Sequence, residues 1–304
     1  MKIDVHAHYI SDGYRGALER AGHGQPDGMP WIPEWSAEEH VAAMDRLGIA
    51  RSLLSVSSPG VCLDGGATTV DLAREVNEDG RRAVIEHPER FGLLASLPLP
   101  DIDATMAEIA YCCDHLDADG FVLLTNIEGA YVSDASFAPV FREFHRRGAR
   151  VLLHPTSPAC WEHTSFERPR PMLEFFFDTT RAVVDLILNG TIGANPDLQL
   201  IIPHAGATLP LVADRVQAFG RLLAPEVDVL GDLGRLHFDL AGFAVPRQLD
   251  VLLTLTSLDH LHYGSDYPFT PEPVVAAASE RIEGIDSLLE TLRSNTARLF
   301  PSYA

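Results

Sequence analysis

Lysine is almost missing from this chain: Lys2 is the only one in 304 residues, and the basic side is otherwise all arginine. Lys plus Arg total 23 against 43 for Asp plus Glu, leaving a formal net charge of −20. A chain this acidic repels polyphosphates and anionic lipid, so nucleic acid and membrane surfaces are excluded as partners. Cysteine is also scarce. Cys62, Cys112, Cys113 and Cys160 have no metal-finger spacing, and the adjacent pair sits in a helical stretch as core filler. That usage fits a reducing, cytoplasmic setting. No charge-free apolar run reaches the roughly 18 residues a membrane span needs. The opening Met1-Lys2-Ile3-Asp4-Val5-His6 is broken by Asp4 and does not read as a signal peptide. Repeats, low-complexity tracts and linkers are absent. With 46% hydrophobic and 22% charged residues, the composition is that of an ordinary globular protein, neither disordered nor fibrous. A single domain over 1–304 is the expectation.

Short apolar runs alternate with helical patterns along the whole chain. Strand candidates are 2–8, 52–58, 91–99, 120–126, 150–155, 198–206, 236–242 and 261–268. Runs such as Phe121-Val122-Leu123-Leu124 and Val151-Leu152-Leu153 are apolar without alternation, as strands covered by helices on both faces are. The first helix opens at Ser36 with Glu39 three residues on, a capping-box spacing, and stops at Gly48. Helical patterns follow at 71–86, 104–116, 137–147, 179–189, 209–223, 246–257 and 285–298. Eight such repeats predict a (β/α)₈ TIM barrel. No G-x-G-x-x-G follows the first strand, which argues against a doubly wound dinucleotide fold. Long loops at 9–35 and 156–177, after the first and fifth strands, fall on the face where barrels place active sites.

Of the 13 histidines, His6, His8, His154 and His204 stand at strand ends, and Asp266 ends the eighth strand. Strict alternation along the first strand would turn Asp4, His6 and His8 inward together. His6 and His8 can grip one cation that His154 and Asp266 complete. Three nitrogens and one oxygen suit Zn²⁺ and tolerate Mn²⁺ or Fe²⁺. His23, His40, His87, His115, His145 and His163 read as surface residues, and His237, His260 and His262 as strand flanks.

Asp4-Val5-His6-Ala7-His8, His154-Pro155, His204-Ala205-Gly206 and Gly264-Ser265-Asp266-Tyr267-Pro268 resemble the motifs of the amidohydrolase superfamily. Phe177-Asp178-Thr179-Thr180-Arg181-Ala182 narrows the resemblance to the branch of aminocarboxymuconate semialdehyde, γ-resorcylate and 6-methylsalicylate decarboxylases. The similarity runs over essentially the whole chain. It implies metal ligands at His6, His8, His154 and Asp266, with His204 as the active-site histidine. It also implies a homodimer in which Arg215 enters the neighbouring subunit's site. Two departures matter. No lysine follows the fourth strand, so a carbamylated-lysine binuclear centre is excluded. Residues 22–45 contain no Arg or Lys where the semialdehyde decarboxylase carries a substrate-binding arginine, and Trp31 stands near that place.

An aromatic monoacid therefore fits better than a diacid, with Trp31 and Phe269 as candidate contacts. The expected activity is metal-dependent, non-oxidative decarboxylation of a hydroxylated, salicylate-like aromatic acid. Asp266 would deliver a proton to the ring, and His204 would set its protonation. The same site would also serve a hydrolase or cyclase acting on a C–N, C–O or C–C bond, or a barrel that binds without turnover.

Overall fold

The eight strands lie in one sheet in chain order: β1 (Lys2–His8), β2 (Ile49–Ser55), β3 (Phe91–Ala95), β4 (Gly120–Leu124), β5 (Arg150–His154), β6 (Gln199–Ile202), β7 (His237–Asp239) and β8 (Leu261–His262). Every neighbouring pair is parallel. Parallel bridges Asp4–Tyr263 and Ala7–Tyr267 join β1 back to the chain around β8 and close the barrel. The computed structural model describes residues 1–303, and the (β/α)₈ expectation is met. Parallel strands need crossover connections, and helices supply them on the outside.

The strands show why the sheet closes. Val5, Leu53, Leu94, Leu152 and Ile201 pack with Leu299 and Phe300 as an apolar plug in the barrel's interior. Residues of the opposite parity, among them Leu93, Leu123, Leu153 and Ile202, join the outer core under the helices. Leu152 is in the plug, so His154, two residues on, emerges above it. The apolar runs overshoot the strands where the chain turns. After β6 the backbone bends at His204 and Ala205, and after β8 at Asp266, all with positive φ. Such conformations in non-glycine residues cluster at functional sites.

The first expected helix forms at Ala37–Leu47. Ser36 accepts from the Glu39 N–H, and Gly48 closes it at φ 68°. Only half of the capping box is made, because the Glu39 carboxylate pairs with Arg46 instead. The loop at 9–35 holds a helix, Asp12–Arg20, capped by Ser11, with Tyr14 and Leu18 buried one turn apart. Phe175–Phe177 also belong to a helix, Glu174–Leu188, rather than to the end of the second loop. Glu272–Glu283 forms a helix that the pattern at 285–298 did not include. The expected 246–257 helix is only Gln248–Leu252.

His40 corrects the surface reading. It is buried; Trp35 Nε1 donates to its Nδ1 at 2.8 Å, and its ring packs on Phe91 and Tyr267. Burial, followed by the charges of His8 and Arg90, pulls its pKa from 6.5 down to about 3. The unfolded chain therefore binds a proton here that the fold rejects. The His40 contribution is intact above about pH 6.5 and is lost at about 1.4 kcal/mol per pH unit as pH falls towards 3. Denaturant titrations across that window should show the slope, and His40→Gln should reduce it. An unchanged slope in the variant would contradict the assignment.

Candidate metal centre

Strict alternation does not hold along β1. The register with β2 shifts between Asp4 and Ala7, so Val5 points into the plug while His6 and His8 both enter the site above it. Asp4 is not a member of the inward set. Its Oδ1 accepts from the backbone N–H of His6 and of Ser265, each at 3.0 Å. It thereby pins the bulge to the turn that carries Asp266. The Asp266 N–H also donates to the His6 carbonyl at 2.7 Å. Burial lifts the Asp4 carboxyl to about 7 against the hydrogen bonds that lower it.

The four donors converge. One ligand atom from each of His6, His8, His154 and Asp266 lies within 4.8 Å of the others. Each imidazole is anchored through Nδ1, which leaves Nε2 for the centre. His6 Nδ1 donates to Asp239 Oδ2 at 2.8 Å, and His154 Nδ1 donates to the Pro155 carbonyl at 2.7 Å. His8 Nδ1 lies 3.0 Å from Ser55 Oγ and 3.3 Å from its carbonyl. His8 Nε2 and His6 Nε2 stand 3.1 and 3.6 Å from Asp266 Oδ1. His6 Nε2 is buried with no hydrogen-bond partner among the described residues. An orphaned imidazole nitrogen beside two more nitrogens and a carboxylate is the arrangement a divalent cation satisfies.

The electrostatics agree. Burial lowers the pKa of His8 and His154, keeping them neutral, the form that ligates. For His6 burial works downward too, but the Asp239 and Asp266 carboxylates outweigh it and lift the pKa to about 9. Burial opposes ionisation of Asp266, yet His204, His8 and His6 hold its carboxyl well below the usual range. The Asp239 and Asp266 carboxylates that raise His6 would favour a bound cation in the same way.

Asp239, at the end of β7, is the residue that sequence reasoning missed. Its Oδ2 orients His6, and its Oδ1 accepts the backbone N–H of His204 at 3.0 Å and of Ala241 at 2.9 Å. One carboxylate thus fixes both a donor and the neighbouring active-site histidine. The signal was present: an acid inside Leu236-His237-Phe238-Asp239-Leu240 must find partners if that run is a buried strand. Asp239→Asn removes the acceptor for His6 Nδ1–H. Metal affinity should fall by about 10–100-fold, read by chelator competition, and unchanged affinity would contradict this role.

His204 turns towards the site with Nε2 3.9 Å from Asp266 Oδ2, and its ring stacks on Phe176. Thr270 donates to Asp266 Oδ2 at 2.9 Å. A cavity of about 480 Å³ ends on His154, His204 and Asp266 and is walled by Met29, Phe175, Phe176, Phe243 and Phe269. No Arg or Lys among the described residues lines it. Phe269 lines this cavity, its ring 5.7 Å from that of His8. Trp31 does not: it is half-exposed and off the cavity wall, and Met29 of the same segment lines it instead. Arg215 is exposed on the helix Leu209–Leu223, stacked on Phe219, away from its own chain's cavity.

Known proteins share this architecture and its sequence. Decarboxylase yanB of Aspergillus niger is 33% identical in an alignment that covers 99% of this chain and 88% of that protein. The 6-methylsalicylic acid decarboxylase of Penicillium expansum is 33% identical in an alignment that covers 96% of this chain and 92% of that one. A solved amidohydrolase II structure, 34% identical, superposes with a TM-score of 0.95 over 99% of this chain and 100% of its own. The amidohydrolase family profile matches residues 3–300, and the chain belongs to that family.

Proposed function

We propose that this protein is a metal-dependent, non-oxidative decarboxylase of a hydroxylated aromatic monocarboxylic acid of the salicylate class. The observation that carries the reading is the aromatic cavity without a cationic side chain, ending on the four-donor cluster. Such walls accept a ring with apolar substituents and leave a second carboxylate without a counter-charge. The decarboxylase names of the relatives favour a carboxy-lyase over a hydrolase or cyclase.

His6, His8, His154 and Asp266 would hold the divalent cation. When bound, it supplies Lewis acidity and a fixed positive charge for the carboxylate and the adjacent phenol oxygen. Three nitrogens and one oxygen favour zinc, with manganese as the other outcome of metal analysis. An aryl anion is too unstable to leave behind, so the ring carbon must be protonated before its bond to the carboxylate breaks. Asp266, held ionised, takes the phenol proton on Oδ2 and passes it to that carbon. The C–C bonding pair then returns to the ring as CO₂ departs. His204, beside Oδ2, stabilises the carboxylate before and after the transfer. Phe176 and Phe269 exclude water and confine the ring. A CO₂-release screen over salicylates is the test: monoacids with apolar ring substituents should turn over, and ring dicarboxylates should not.

The active assembly in this reading is a cytoplasmic homodimer of one barrel domain, 1–304. The helix Leu209–Leu223 leaves Leu211, Phe219, Leu222 and Leu223 exposed around Arg215, an apolar face that a second copy would cover. Arg215 would reach the partner's substrate carboxylate, where its fork gives a bidentate match. Arg215→Ala should then raise KM by a loss of about 1.5–3 kcal/mol. Mixed dimers of Arg215→Ala with Asp266→Asn should recover some activity, since one of their sites has both groups. A monomer, or no recovery, would refute the shared site.

A further inference from the structure

The barrel mouth holds a second cavity, of about 440 Å³, that touches none of the four donor residues. It lies over the ends of β2 to β5. Leu63, Leu97, Leu124 and Ile127 make an apolar floor, and Trp161 and Arg170 stand at one side. A polar partition separates it from the metal cavity. Ser157 Oγ donates to Asp27 Oδ1, and Ser58 Oγ and Thr156 Oγ1 are 2.7 Å apart. Asp27 borders both cavities.

Arg170 is the unusual member. It is half-buried, and no carboxylate among the described residues comes within ion-pair distance of it. Its Nε donates to Ser157 Oγ at 3.0 Å, the only hydrogen bond its side chain makes to the described residues, so both terminal nitrogens are left over. Its guanidinium lies over the Trp161 ring, 4.1 Å from the centroid. Gly28, at φ +73°, leaves room for the head: a Cβ there would come within 2.6 Å of Nη1. Partial burial pulls the guanidinium's pKa below its ordinary value, against the pull of Asp27. Of the acids on the cavity wall, Asp27 is taken up by Ser157, and Glu128 is exposed at the rim. Two free nitrogens on a planar cation, held rigid by an aromatic face beside an apolar floor, match a carboxylate on a flat apolar body.

We propose that this second cavity is a binding site for a small aromatic monocarboxylate, held through its carboxylate by Arg170 with its ring over the apolar floor. The site is independent of the reaction run next door, so its test does not depend on turnover. Benzoate titrated calorimetrically into the metal-loaded protein reads the number bound per chain. Arg170→Gln should lower that number by one over the range in which wild type saturates, through a weakening of about 10–100-fold at this site. Ile127→Trp, which fills the floor and keeps Arg170, should remove the same equivalent and covers the case in which Arg170→Gln does not fold. Benzamide, neutral and of the same shape, should not occupy the site. If metal-cavity binding fails, wild type takes up one benzoate and the variants none, so the Arg170-dependent equivalent still decides the matter. Identical stoichiometry in wild type and both variants, or benzamide binding as tightly as benzoate, would overturn the proposal.

Discussion

His6→Ala should leave a folded barrel with no bound cation and no turnover. Three of the proposed donors project from β1 and β5 and the fourth from the turn after β8, so only the closed barrel assembles them. Removing one of the four proposed donors would take away a ligand, and the several kcal/mol a Lewis acid contributes amount to about a thousandfold or more in rate. The fold survives because its interior plug lies beneath the site and does not use it. His6→Ala also leaves Asp239 without its imidazole, at a cost of about 1–3 kcal/mol. His154→Ala avoids that complication, since His154 Nδ1 is tied only to the Pro155 carbonyl. Both variants should therefore lose metal, measured by elemental mass spectrometry, while thermal melting still shows one cooperative transition. Full metal content and normal turnover in both would remove the site assignment.

Asp266→Asn separates holding the cation from moving the proton. The amide keeps an oxygen near His8 and His6 and a group near Thr270, so the cation and the substrate should still bind. It cannot carry an acid proton to the ring carbon. A lost general acid costs about 10²–10⁴ in rate, and the loss should fall on kcat with KM changed only a few-fold. A variant whose defect lay in KM alone would make Asp266 a substrate contact rather than the proton carrier.

The barrel and the convergence of the four proposed donors were legible in the sequence for one reason. Buried parallel strands read as apolar runs, and polar residues at their ends stand out against them. His6, His8, His154 and Asp266 are such residues, and they converge. What escaped the sequence depends on contacts between elements. Strict alternation put Asp4 inward, but the bulge is set by hydrogen bonds to Ser265, some 260 residues away in the chain. Asp239 was hidden because its role appears only when β7 lies beside β6 and within reach of β1. His40 reads as a surface residue until Trp35 is seen to fold over it. Trp31 and Met29 share a loop, and which of the two lines the cavity is decided by where the left-handed turn at Asp27 and Gly28 sends the chain. The partition between the two cavities joins residues that follow β1, β2 and β5, so no local pattern announces it.

The central claim is that the ring carbon is protonated before the carboxylate leaves as CO₂. Incubating the metal-loaded enzyme with 6-methylsalicylate or a related salicylate in D₂O, and locating deuterium in the product by NMR, tests it most directly. The phenol proton exchanges with solvent, so the account predicts one deuterium at the vacated ring carbon, release of one CO₂ per product, and neither from Asp266→Asn. A product that keeps its carboxyl carbon, or ¹⁸O from labelled water in a new product carbonyl, would contradict it and make the enzyme a hydrolase.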